Sequence, residues 1–93
     1  MRRGNTMPYI KQEKRKDFDK AINLLIQELE KDKDNVEGNL NYIFTKLILG
    51  TKPSNYKQFN RVIGALECCK LEMYRKKIGP YEDVKIKENG DVE

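Results

Sequence analysis

The sequence predicts an all-α fold: a small domain of three helices, the third the longest, with an extended or β-hairpin C-terminal tail. Three observations carry this. Apolar residues recur at steps of three and four in three separate blocks. Gly50 and Pro53 punctuate the chain between the second block and the third. Beyond Gly79-Pro80 the helical period gives way to a polar segment in which only Val84 and Ile86 alternate with charged residues.

Residues 1–8, MRRGNTMP, read as a flexible lead, with Met7 a candidate start of the domain proper, so a single helical domain is expected over 9–93. The first helix is expected from about Glu13 to Lys31, where Phe18, Ile22, Leu25 and Leu29 form one stripe that Leu24 and Ile26 widen. The polar run KDKDN connects it to a second helix from about Val36 to Leu49, carrying Leu40, Ile43, Phe44, Leu47 and Ile48. Gly50 then reads as its C-cap and Pro53 as a block to continuation. Ser54 or Asn55 can cap the third helix, which the pattern extends to Gly79. Phe59, Val62, Ile63, Leu66, Cys69 and Met73 are its core face. For the tail, Asn89-Gly90 is a two-residue turn signal, opposed by the like charges of Glu88 and Asp91 that such a hairpin would pair.

The third helix holds the oddest feature. Asn60, Gly64, Glu67 and Leu71 form a second line along it, and a helix-interior glycine costs about 1 kcal/mol relative to alanine. Its two readings are close approach of another helix, within or between subunits, and a ligand pocket.

Ninety-three residues make a thin core, so burial between subunits would add appreciably to stability and a homo-oligomer is expected. Hydrophobic residues are 38% and charged residues 37%, arranged in periodic blocks, which points to folded helices with solvated faces and away from disorder. The net charge of +4 and the pI of about 9.1 favour an anionic partner but fall short of a dedicated duplex binder, so nucleic acid ranks behind a small anion. The late cations Arg75, Lys76 and Lys77 suit a helix C-terminus without any ligand. No apolar run is long enough to span a membrane, and the start lacks a secretory signal, so a cytoplasmic protein is expected. Cys68 and Cys69 are adjacent and read as reduced, one at the core and one at its edge.

Histidine is absent, which removes the commonest general base and zinc ligand together. There is no Gly-rich phosphate loop and no G-x-S-x-G motif. These absences argue against an enzyme, and no metal or cofactor is expected. Binding residues are better represented. Tyr9, Tyr42, Tyr74 and Tyr81 are accompanied by Asn41 and Thr45, by Asn60 and Arg61, and by Lys70 and Arg75, and with Gly64 and Glu67 they make the candidate ligand-binding set. Tyrosine stacks, arginine pairs with phosphate and asparagine bonds a base edge, which suits a nucleotide-like anion; the same types also suit a protein interface. Core packing competes with ligand contact for Tyr42. For Arg61, an ion pair with Glu67 or another carboxylate competes with phosphate.

Four blocks, Met7-Pro8-Tyr9-Ile10, Gly38 to Ile43 with Thr45, N-x-x-I-G-x-L-E-x-x-K-x-E-x-Y-R over Asn60–Arg75, and Pro80-Tyr81-Glu82-Asp83 with Lys85-Ile86 and Glu88 to Val92, together resemble a small uncharacterised family found in bacteria and phages. The resemblance spans residues 7–92 and brings no activity or catalytic residue with it. What it implies is a phage accessory or anti-defence role in the host cytosol. The expectation is therefore a non-enzymatic protein that sequesters a nucleotide-derived signal, the alternatives being a nucleic-acid-binding helical protein and an adaptor or inhibitor of a host enzyme.

Overall fold

The structure, a computed structural model, describes residues 9–93, so the lead at 1–8 lies outside the described residues. All regular structure among them is helical. The chain divides into two bodies, Met1–Ser54 and Asn55–Glu93.

In the first body, α1 spans Gln12–Glu30 and α2 spans Val36–Gly50, with a 3₁₀ turn at Lys33–Asn35 leading into α2. These bounds lie within a residue of the sequence expectation, because long amphipathic blocks with polar connectors leave little freedom over where a helix runs. Asn39 ties the corner: its Nδ2 donates to the Asp32 carbonyl and to Asp32 Oδ2, each at 3.2 Å. The end of α2 differs from expectation. Gly50 is its last helical residue, Thr51 is the C-cap, and the positive φ of 56° falls on Lys52. The Thr51 hydroxyl donates to the Ile48 carbonyl at 2.6 Å, closing the last turn without a glycine.

The second body is one line of helix with a change of pitch. α3 spans Tyr56–Met73, a π turn follows at Tyr74–Ile78, and α4 spans Gly79–Asn89. Asn55 caps α3, its Oδ1 accepting from the Gln58 N–H at 2.9 Å. The helix does not stop at Gly79. Pro80 has no N–H to give the carbonyl four residues back and its ring crowds that turn. The backbone widens instead, and the Gly79 N–H donates to the Tyr74 carbonyl, five residues back. Glycine suits this position, since a Cβ there would stand 3.1 Å from that carbonyl oxygen.

The C-terminal segment corrects the sequence reading of a hairpin or extended tail. Residues Gly79–Asn89 are α-helical, and there is no strand among the described residues. Lys85 pairs with Glu88 across one turn of α4 at 3.3 Å. Gly90, at φ 88°, ends the helix and donates to the Ile86 carbonyl at 2.7 Å. The Asn89-Gly90 turn signal thus marks a helix end.

No side chain among the described residues is buried. Leu29, Leu40, Ile43 and Ile48 in the first body and Val62 and Leu66 in the second are half-buried. Phe59, Ile63 and Met73, expected in the core, are 48%, 60% and 53% exposed. Cys68 and Cys69 are both exposed free thiols, which corrects the placement of one of them at the core.

Candidate functional site

The α1 N-terminus gathers the groups best suited to a ligand. Its N-cap, Lys11, has an extended backbone and no side-chain capping bond, so the positive end of the helix dipole is not offset there by a capping oxygen. Glu13 is the acidic residue of the first turn, whereas Lys11, Lys14, Arg15 and Lys16 are cations at or beside it. The arrangement is contrary to what stabilises a helix start, and it favours an anion. Arg15 folds back over the segment before the helix: Nε donates to the Ile10 carbonyl at 3.2 Å, and the guanidinium carbon stands 5.8 Å from the Tyr9 ring centroid. Each such contact at an exposed position is worth about 0.5–1 kcal/mol, enough together to hold Tyr9 beside α1.

The result is an open groove of about 460 Å³ lined by Tyr9, Ile10, Arg15, Phe18, Asp19 and Ile22. Its walls are aromatic and aliphatic with the Arg15 guanidinium and the Asp19 carboxylate as its two charged groups, and its volume lies within the usual range of small-molecule sites. Of the candidate ligand-binding residues read from the sequence, only Tyr9 belongs to it. In the sequence Phe18 belongs to the apolar stripe of the first helix, and Arg15 is one of four cations over residues 11–16. What would have joined them is the reach of a helical side chain back over the turn before its own Cα.

Elsewhere in the first body, Tyr42 is 66% exposed, so core packing is not its role. Lys46 stands over its ring at 5.9 Å, and one turn of α2 also holds Thr45, whose hydroxyl donates to Asn41 Oδ1 at 3.3 Å. Tyr42 borders a second groove of about 440 Å³, shared with Leu25, Glu28, Leu29, Lys31, Asp32, Asn39 and Ile43. Glu28 and Asp32 make that groove a poor receiver of an anion, although Lys31 pairs with Glu28 at 2.9 Å.

In the second body, Asn60, Arg61, Gly64, Glu67, Lys70, Tyr74, Arg75 and Tyr81 lie along one helical line. At about 1.5 Å per residue, Asn60 and Tyr81 are separated by roughly 30 Å, too far to line one small-molecule site. Glu67 pairs with Lys70 at 3.0 Å, so within the helix its partner is Lys70 and not Arg61, and of the intrahelical and intersubunit ion pairs expected for Arg61 with Glu67 the first is not formed. Arg75 Nε donates to Glu72 Oε1 at 2.8 Å, and Lys85 stands over the Tyr81 ring at 5.7 Å. Tyrosine with a cation over its ring thus recurs at Tyr9, Tyr42 and Tyr81, the cation lying one turn on at the last two, and Arg15, Lys46 and Lys85 are partners that sequence reasoning passed over.

No group of three or more His, Cys, Asp or Glu side chains able to hold a metal occurs among the described residues. None of the described helices is long and apolar enough to cross a membrane. A family model described as Domain of unknown function (DUF6899) matches residues 7–92. No curated protein and no solved structure matches the chain.

Proposed function

The chain belongs to this family of unknown function, and from that premise we propose that it is a non-enzymatic binding protein whose ligand is a small nucleotide-like anion taken up at the α1 N-terminus. The observation that carries the reading is the groove in which Tyr9 and Phe18 offer aromatic surface beside the Arg15 guanidinium. A purine or pyrimidine stacks on the rings, and a phosphate meets the guanidinium, the flanking lysines and the positive end of α1. Binding without turnover amounts to sequestration. In a phage setting that is an anti-defence role, the protein withdrawing a nucleotide-derived signal from the host cytosol.

Calorimetry against a panel of cyclic and linear nucleotides tests this. A member of the panel binds, is recovered chemically intact after the protein is heated, and binds Arg15→Gln protein about tenfold to a hundredfold more weakly, the range of one charge-assisted hydrogen bond. Absence of binding throughout the panel removes the proposal.

The nucleic-acid reading has one observation in its favour. Arg75, Lys76 and Lys77 are exposed and consecutive on the π turn, a conformation frequent at functional sites. Its signature is electrostatic: affinity for duplex DNA falls with a log–log salt slope near about −0.9 per phosphate contacted. A gel shift at two salt concentrations separates it from the first reading. An adaptor or inhibitor role instead predicts a single stoichiometric partner in a pull-down from bacterial lysate.

A further inference from the structure

The Gly64 face of α3 carries a two-fold pattern. With about 100° between successive residues, the residues around Gly64 fall into a symmetric array. Arg61 lies three positions before it and Glu67 three after, about 60° to either side of the glycine. Asn60 and Cys68 lie four positions before and after, and Lys57 and Leu71 seven before and after, all within about 40° of the glycine's direction. All seven residues are exposed. This face is opposite the apolar stripe of Val62, Leu66 and Met73, so it is a separate surface.

Three features say what the face is for. The position where a Gly64 Cβ would stand has nothing within 4 Å, so the chain's own side chains make no use of the missing methyl group. Arg61 has no carboxylate at the positions one helical turn away, which are occupied by Lys57, Gln58, Gly64 and Ala65. Glu67 pairs with Lys70 at 3.0 Å, yet its side chain remains 54% exposed.

We infer that two copies pair through α3 in antiparallel fashion about a two-fold axis at Gly64. In that arrangement each residue meets the one that lies equally far on the other side of Gly64 in the second chain. Arg61 of each protomer meets the other's glutamate at position 67, twice over. Asn60 likewise meets the cysteine at position 68, and the Lys57 stem lies along the leucine at position 71. The glycine at the axis lets the two backbones approach at the close end of the usual helix spacing of about 8–10 Å. Parallel pairing about the same residue would set arginine against arginine and glutamate against glutamate, so the charge pattern selects the antiparallel form. The pairing is independent of the groove at the α1 N-terminus: that site lies in the other body and needs no partner residue.

Charge reversal in two separate chains gives a test that does not depend on the stability of either. Arg61→Glu and Glu67→Arg are made singly, and the wild type, each variant and their equimolar mixture are run in sedimentation velocity over a dilution series reaching about 100 μM. The wild type dimerises. Each variant alone brings like charges together at both ends of the contact and dissociates about tenfold or more more readily. The mixture restores the dimer, because one variant is acidic at both positions and the other basic at both, so opposite charges meet at each end of the mixed pair. Gly64→Leu abolishes association, and circular dichroism confirms that α3 is retained in every variant. The inference is overturned by a wild type that stays monomeric, by single variants that associate as the wild type does, or by a mixture that remains monomeric.

Discussion

Pro80→Ala isolates the cause of the π turn. Proline in a helix interior costs about 3 kcal/mol relative to alanine through a lost hydrogen bond and a ring clash. Here the clash is already relieved, because the backbone over Tyr74–Ile78 widens and the Gly79 N–H bonds Tyr74 in place of the usual carbonyl. What alanine recovers is the missing N–H, a net hydrogen bond of about 0.5–1.5 kcal/mol, and part of the propensity difference. The expected gain is therefore about 1–2 kcal/mol, or a rise in Tm of roughly 4–16 °C for a domain of this size. Helical ellipticity should rise too, and amide exchange over residues 74–80 should slow to the rate of α3. Gly79→Ala supplies an internal check. With Pro80 present, the new Cβ stands 3.1 Å from the Tyr74 oxygen and the substitution yields none of its usual propensity benefit of about 1 kcal/mol. In the Pro80→Ala background that oxygen moves to its α-helical position and the benefit appears, so the two substitutions are non-additive. A Pro80→Ala protein with unchanged or lower Tm and unchanged exchange would show that proline does not cause the widened turn.

Three other outcomes rest on named contacts. Asn55→Ala removes the oxygen that accepts from Gln58 at 2.9 Å and should cost about 1 kcal/mol in chemical denaturation, whereas Asn55→Asp should be nearly neutral. Cys68 and Cys69 are both exposed, so native protein at high dilution should take up two equivalents of a thiol reagent at similar rates. As concentration rises through the dimerisation range, Cys68 should become protected while Cys69 stays reactive; equal rates at all concentrations would count against the Gly64 pairing. Arg15→Ala should release Tyr9 from the side of α1, which tyrosine fluorescence anisotropy or the Tyr9 ring resonances would register, with helix content unchanged.

The positions of α1 and α2 and the start of α3 follow from the sequence alone, because their causes are local. Phe18, Ile22, Leu25 and Leu29 are spaced for one face of a helix, and Asn55 carries the oxygen that satisfies an otherwise orphaned N–H three residues on. The sequence also holds the symmetry of Arg61, Gly64 and Glu67, which is a matter of counting residues along a helix. The C-terminal segment departs from its sequence reading because Gly79-Pro80 is a stop signal only if the helix must remain an α-helix. One hydrogen bond reaching five residues back, from Gly79 to Tyr74, lets it continue, and the Val84 and Ile86 alternation is too short to oppose it. Which apolar residues would be covered was beyond periodicity, since a stripe says that a face is apolar and not that anything lies against it. Phe59, Ile63, Met73 and Tyr42 are exposed for that reason, although the first three share the spacing of core residues. The groove of Tyr9, Arg15 and Phe18 needed three dimensions for a different reason: it depends on a guanidinium turning back onto a carbonyl outside its own helix, a choice among rotamers that only the surrounding backbone decides.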